Sequence, residues 1–176
     1  METIDPLGIC LLVTLDTGVL DQTYFNVERA ARTLPMAVEF ATIGVSDRER
    51  GEHETKPKNI PTIPETAVIG ESSWGEAVLG SENGARVYER IRAIISSGSY
   101  KPPDGDKHPH DGQRRQVRDA MALSDHVRDR RDIFITTDAK AFINHGRREQ
   151  LEAFCLTRIM TPAEFIEFCT ERGEAG

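Results

Sequence analysis

The sequence has no hydrophobic run long enough to cross a bilayer. Its longest apolar stretch, residues 7–15, is interrupted by Gly8 and Thr14, whereas a membrane-spanning helix needs about 20 apolar residues. Glu2 and Asp5 precede this stretch, so the basic start of a secretory signal is also missing. We therefore expect a protein that has no membrane-spanning segment.

Cysteine is scarce, and positive charge is not in excess. The three cysteines are odd in number and lack CxxC spacing, which predicts free thiols in a reducing, cytoplasmic environment. A net charge of −7 argues against binding of nucleic acid through overall charge. Residues 101–131 nevertheless carry eight Lys or Arg against six Asp. This locally basic strip is compatible with a polyanionic substrate.

Segments with strand and helix patterns alternate along the chain. The 176 residues are 38% apolar, which suits one domain, residues 1–176, with a sizeable core. Strands are predicted near residues 8–15, 36–45, 132–136 and 155–160, and helices near residues 26–34, 85–95, 113–129, 139–154 and 161–173. This alternation predicts an α/β fold in which helices cover both faces of a parallel sheet.

Two capping boxes mark predicted helix starts. Ser46 with Glu49 forms one, and Thr161 with Glu164 forms the other, before a helix that Gly173 should end. The middle of the chain is less regular. Residues 53–82 predict an ordered insertion or a flap, and residues 96–112 predict a loop.

Acidic residues fall where the predicted strands end. Asp16 follows the first strand, Asp138 follows the strand at 132–136, and Glu49 lies in the helix after the second strand. Asp119 lies at the border of the apolar stripe of helix 113–129, on the same side as His126. Because sites in open parallel sheets form beyond the carboxyl ends of strands, we expect these acids to share one edge.

Four carboxylates held together repel one another unless a hard cation neutralises them. Mg²⁺ or Mn²⁺ suits such an oxygen-only site and could activate water for phosphodiester cleavage. The alternative is that each acid is only a helix cap or a turn former. Three arginines, Arg114, Arg115 and Arg118, could hold phosphates or form a solvated helix face. His126 could assist proton transfer or be an ordinary residue at the edge of its helix.

Five stretches together resemble the PIN domain family. They are LLVTLDTGVL, VSDRE, RDAMALSDHV, DIFITTDAKAF and RIMTPAEF, and residues 53–112 between them have no match. The resemblance implies a three-layer αβα sandwich around a parallel sheet of four to five strands. It also implies a Mg²⁺- or Mn²⁺-dependent ribonuclease, often a toxin of a toxin–antitoxin pair or an RNA-processing factor. RNA would be the partner, and the resemblance leaves room for an inhibitory, antitoxin-like protein and for a homodimer.

The family's site residues map onto this chain one by one. Asp16, Asp119 and Asp138 match the first, third and fourth family acids, and would bind the metal. Glu49 matches the second, with Glu39 inside the second strand as its competitor.

Two further positions complete this comparison. Thr136 matches the small polar residue that orients the first acid, whereas Gly18 replaces the usual Asn or Ser. The acidic net charge, Gly18 and the unmatched middle keep open a catalytically inactive RNA-binding or protein-interaction module.

Overall fold

A computed structural model of the chain describes residues 10–45, 57, 59–68, 72, 80–98 and 111–174. The predicted cap at Ser46 and Glu49 therefore lies outside the described residues. Among the described helices, none is both long and apolar enough to cross a membrane. All three cysteines are free thiols.

The described strands form one five-stranded, all-parallel sheet. The strands are β1 (Cys10–Leu15), β2 (Ala37–Ile43), β3 (Thr62–Ile63), β4 (Ile133–Ile135) and β5 (Arg158–Met160). Their order across the sheet is β3-β2-β1-β4-β5. In the register, Val13 lies opposite Ile133 of β4, and Leu15 lies opposite Ile135. This confirms the predicted α/β fold with a parallel sheet of four to five strands.

Helices flank the sheet, and buried apolar residues form two separate clusters. The helices are α1 (Thr17–Gln22), α2 (Tyr24–Ala31), α3 (Glu82–Ile95), α4 (Asp111–Arg128), α5 (Ala139–Phe142), α6 (Arg147–Cys155) and α7 (Pro162–Glu174). Phe134 of β4 belongs to the cluster with α3, α4 and α6, whereas its neighbours Ile133 and Ile135 belong to the cluster with α1, α2 and α7. Since successive strand side chains point to opposite faces, both faces of the sheet are covered, as in a three-layer sandwich.

The elements differ from the sequence prediction at several places. A short helix, α1, follows β1 directly, although the apolar Val19 and Leu20 resemble a continuing strand. The insertion at 53–82 contributes β3, which pairs with Thr42 and Ile43 of β2. The predicted helix at 139–154 is broken by a 3₁₀ turn, Asn144–Gly146.

The break and the end of the last helix have physical causes. His145 and Gly146 have φ of 61° and 71°, a left-handed conformation that interrupts an α-helix. Gly173 does not end α7, which contrary to prediction continues to Glu174. A Cβ at Gly173 would lie 2.9 Å from the carbonyl oxygen of Thr33, so glycine is needed there for close packing. The capping box at Thr161 is confirmed, because Glu164 accepts from the Thr161 amide at 2.7 Å.

His126 lies in the interior and not at the helix edge, contrary to one of the sequence interpretations. Its Nδ1 lies 2.8 Å from the Thr14 hydroxyl and its Nε2 lies 2.6 Å from the Thr157 hydroxyl. Thr157 donates its own proton to the carbonyl of Asp132, so it accepts from Nε2–H, and Nδ1 accepts from Thr14. Burial, together with the charge of Arg131, lowers the pKa of His126 to about 3, so the ring is neutral and Nδ1 carries no proton.

The neighbouring Asp125 is also fully buried, on the side of α4 that faces the β3 segment. Its carboxylate accepts from the Thr66 amide at 3.0 Å and from Arg128 Nη1 at 2.9 Å. Arg128 also donates to the carbonyl of Pro64, so these groups tie α4 to the residues after β3. Burial raises the pKa of Asp125 to about 6, against the lowering effects of Thr66 and Arg128, while the charge of Glu65 raises it further.

These two pKa shifts have opposite effects on stability. His126 has an ordinary pKa of 6.5 when unfolded, so below that pH the unfolded chain takes up a proton that the folded chain excludes. Asp125 has an ordinary pKa of 3.8, so between pH 3.8 and about 6 the folded chain holds a proton that the unfolded chain lacks. The first effect destabilises the fold as pH falls, and the second stabilises it, so they offset each other over this range.

We therefore expect Asp125→Asn to steepen the pH dependence of stability. Without the offset, the free energy of unfolding should fall by up to about 1.4 kcal/mol more per unit between about pH 6 and pH 4 than in the wild type. Urea unfolding at a series of pH values measures this slope independently of any uniform loss of stability. Parallel curves for the two proteins would contradict the prediction, and Asp125→Asn combined with His126→Gln should restore the wild-type slope.

Candidate functional site at the carboxyl ends of β1 and β4

The strand order reverses direction between β1 and β4. From β1 the chain builds the sheet outward through β2 and β3, and then it crosses to the other side of β1 to form β4 and β5. The connections that leave the carboxyl ends of β1 and β4 consequently diverge and open a crevice. Crevices at such a reversal are where open parallel sheets bind ligands.

Asp16 is held at this crevice by both its backbone and its side chain. Its amide donates to the carbonyl of Ile135 at 2.9 Å, which extends the β1–β4 ladder past the end of β1. Its Oδ1 accepts from the Thr17 amide at 2.8 Å and so caps α1. The residue is half-buried.

Thr136 connects the two acids that follow β1 and β4. Its fully buried hydroxyl donates to Oδ2 of Asp16 at 2.6 Å and accepts from the Asp138 amide at 2.9 Å. One hydroxyl group thus orients the carboxylate of Asp16 and the backbone of Asp138. The role that the resemblance implied for Thr136, orienting the first acid, matches this geometry.

Asp138 caps the short helix α5. Its Oδ1 accepts from the Ala141 amide at 2.8 Å, while Oδ2 is engaged by no hydrogen bond within the described part of the chain. The sequence of β4 explains this position, because the apolar residues of β4 are buried and Asp138 begins the next element. The residue is half-buried, like Asp16.

Asp119 of α4 meets these two acids in one cavity of about 400 Å³. The cavity is also lined by Arg118, which directly precedes Asp119 in α4, and by Arg115, one turn before Asp119 on the same helix. Three carboxylates and two guanidinium groups from separate parts of the chain therefore face one space. The expected convergence of Asp16, Asp119 and Asp138 at one edge of the sheet is present in the structure.

The other residues considered for the site were Glu49, its competitor Glu39, and Arg114. Glu49 is outside the described residues. Glu39, its competitor, lies within β2, and its carboxylate accepts from the buried Arg131 at 3.0 Å. Arg131 also donates to the carbonyls of Val13 and Glu39, so this ion pair belongs to the sheet. Arg114 is not among the described residues that line the cavity.

Two threonines of the cavity wall were not expected from the sequence. A Cβ on Gly18 would overlap Oγ1 of Thr137, so the Thr137 hydroxyl occupies the space that a side chain at 18 would need. The hydroxyl of Thr137, from the other side of the crevice, therefore lies where a side chain at position 18 would be. Thr17 also lines the cavity, and its buried hydroxyl has no hydrogen-bond partner among the described residues. The doubled threonine before Asp138 was the only sequence signal for Thr137.

The donor set suits a hydrated divalent ion better than a closed metal cage. Within the ranges that the structure describes, no three His, Cys, Asp or Glu side chains are arranged to hold a metal ion between them. Mg²⁺ keeps several waters and is commonly bound through only one or two carboxylates. Asp16, Asp119 and Asp138 could supply oxygen ligands alone, and the Thr17 hydroxyl, which has no partner among the described residues, is a further polar group that a hydrated ion could satisfy.

The sequence matches no protein-family model and no curated protein. The resemblance to PIN domains consequently stays a prediction from the sequence motifs.

We expect Thr136→Val to destabilise the protein by about 2 kcal/mol, because this isosteric change removes one fully buried hydroxyl that hydrogen-bonds to two half-buried polar groups. Urea unfolding measures the loss. Thr136→Ser is the matched control, since it keeps the hydroxyl and loses only a methyl group. A Val variant as stable as the wild type, or more stable than the Ser variant, would contradict the assigned role of the hydroxyl.

Proposed function

We propose that this protein is a divalent-metal-dependent ribonuclease with a PIN-like fold. The observation that supports the proposal most directly is the shared cavity, in which Asp16, Asp119 and Asp138 face Arg115 and Arg118 at the reversal of strand order. Cleavage of a phosphodiester uses both cationic groups and carboxylates. Cations hold its phosphate oxygens, and carboxylates position water and any metal ion beside the phosphorus.

The residues of the cavity would have different roles in the reaction. Asp16, Asp119 and Asp138 would hold Mg²⁺ or Mn²⁺, which when bound lowers the pKa of water and neutralises charge on the phosphate. Thr136 keeps the carboxylate of Asp16 in a fixed orientation through its 2.6 Å hydrogen bond. Arg115 and Arg118 would bind the substrate phosphate by charge-assisted hydrogen bonds.

RNA as the substrate, an inhibitory protein partner and a homodimer remain predictions from the family resemblance. The local excess of cations on residues 101–131 favours a polyanion over a neutral substrate. Glu49 also remains a predicted fourth acid.

We expect the wild-type protein to cleave single-stranded RNA in Mg²⁺ or Mn²⁺, and Asp16→Asn, Asp119→Asn and Asp138→Asn to lower kcat by about a hundredfold or more. Each change keeps the shape of the side chain and removes a negative charge that the site requires. Gel-based cleavage of a labelled RNA, with EDTA as the metal-free arm, measures the effect.

Glu89→Gln is a matched control, because Glu89 is an exposed carboxylate on α3 that is not among the described residues lining the cavity. It should cleave like the wild type. Equal activity in the wild type and the Asp16 and Asp138 variants would refute the assignment, since a contaminating nuclease would then account for the cleavage.

The second candidate is a PIN-like module that binds RNA or protein without catalysis. It is favoured by the absence, in the described parts of the chain, of three side chains arranged to hold a metal ion together. Thermal unfolding with millimolar Mn²⁺ separates the candidates. An ion that binds the folded state must raise its stability, so a midpoint unchanged by Mn²⁺ would favour the non-catalytic module.

A further inference from the structure

A second cavity, of about 570 Å³, lies next to the acidic one and shares part of its wall. Arg115, Asp119 and Asp138 line both cavities, so the two spaces meet at these three side chains. The two cavities are therefore adjacent, and we call them together the two-chamber groove. Its first chamber contains Asp16, and its second chamber contains Lys140 and Arg147.

The two chambers differ in charge. Apart from the three shared side chains, the first chamber has one carboxylate, Asp16, against one guanidinium group, Arg118. Beyond the shared wall, the second chamber has two cations, Lys140 and Arg147, against the single carboxylate of Asp111. A metal-assisted reaction suits the first chamber, and an anion suits the second.

The cations of the second chamber have different roles. Arg147 is fixed, because one η nitrogen donates to the carbonyl of Lys140 and the other donates to the Ser97 hydroxyl at 2.9 Å. It therefore braces the wall between α5 and the end of α3. By contrast, no hydrogen bond or ion pair with any described residue engages the side chains of Lys140 and Arg115, and both are exposed.

We propose that the second chamber is a phosphate-binding subsite for the part of the polynucleotide next to the scissile phosphate, with Lys140 as its main contact. The proposal rests on the ribonuclease function proposed above. A strand whose reacting phosphate lies among the three carboxylates continues past Asp119 and Asp138, and its next phosphates reach Lys140. An exposed ammonium that has no partner among the described residues loses no ion pair with them when it binds a phosphate.

Binding without cleavage tests the subsite directly. Fluorescence anisotropy of a labelled 12-nucleotide RNA in EDTA should show that Lys140→Ala raises Kd by about three- to tenfold, and that the slope of log Kd against log salt falls by about 0.7, the value for one lost contact to a single strand. Arg90→Ala is the matched control, because Arg90 is an exposed cation on α3 that is not among the described residues lining the groove. Arg90→Ala should leave both Kd and the salt slope unchanged. The midpoint of thermal unfolding should be the same for the wild type and the two variants.

Substrate length provides the second measurement. Lys140→Ala should raise KM for the 12-nucleotide RNA and leave cleavage of a dinucleotide, which has only the scissile phosphate, at the wild-type level. Equal losses on both substrates, or wild-type Kd and salt slope in the variant, would overturn the subsite. A wild-type protein that binds RNA with the expected Lys140 dependence but cleaves nothing would overturn only the ribonuclease function. A wild-type protein that does not bind RNA would overturn both.

Discussion

β1 and β4 lie side by side at the centre of the sheet, and the ladder between them extends one residue past β1 to the amide of Asp16. Thr136, the residue that follows β4, hydrogen-bonds to the side chain of Asp16 and to the backbone amide of Asp138. The site is therefore an extension of the strand pairing. A shift of this register by one residue would move the hydroxyl to the opposite face and separate the two acids.

Helix capping by Asp16 and Asp138 is compatible with the metal-binding role proposed for them. Asp16 and Asp138 each use one carboxylate oxygen to cap a helix, as isolated acids after strands commonly do. Capping fixes the carboxyl group at low cost, because the helix supplies the amide donors. What distinguishes these caps from ordinary ones is that Asp119 reaches the same cavity from α4, a helix remote in sequence from α1.

The sequence allowed the parallel sheet, most elements and the convergence of three acids to be predicted, because these depend on strong local patterns. Apolar runs ended by Asp identify β1 and β4, and the helical spacing around Asp119 places it near them. β3 was missed because two residues carry no periodic signal, and His126 was misplaced because its burial depends on hydroxyl partners more than 30 residues away. Charge balance in the groove also depends on tertiary contacts, so Lys140 could not be identified from local sequence.

The contact between Gly18 and Thr137 links two positions that are more than 100 residues apart. Because the Thr137 hydroxyl fills the space beside Gly18, neither residue can change in size without consequence for the other. Divergent versions of this chain should therefore vary at these positions in a correlated way. A larger residue at position 18 should occur with a smaller one at position 137. The polar group of the crevice would then come from position 18 in place of position 137, and the shape of the crevice would be kept.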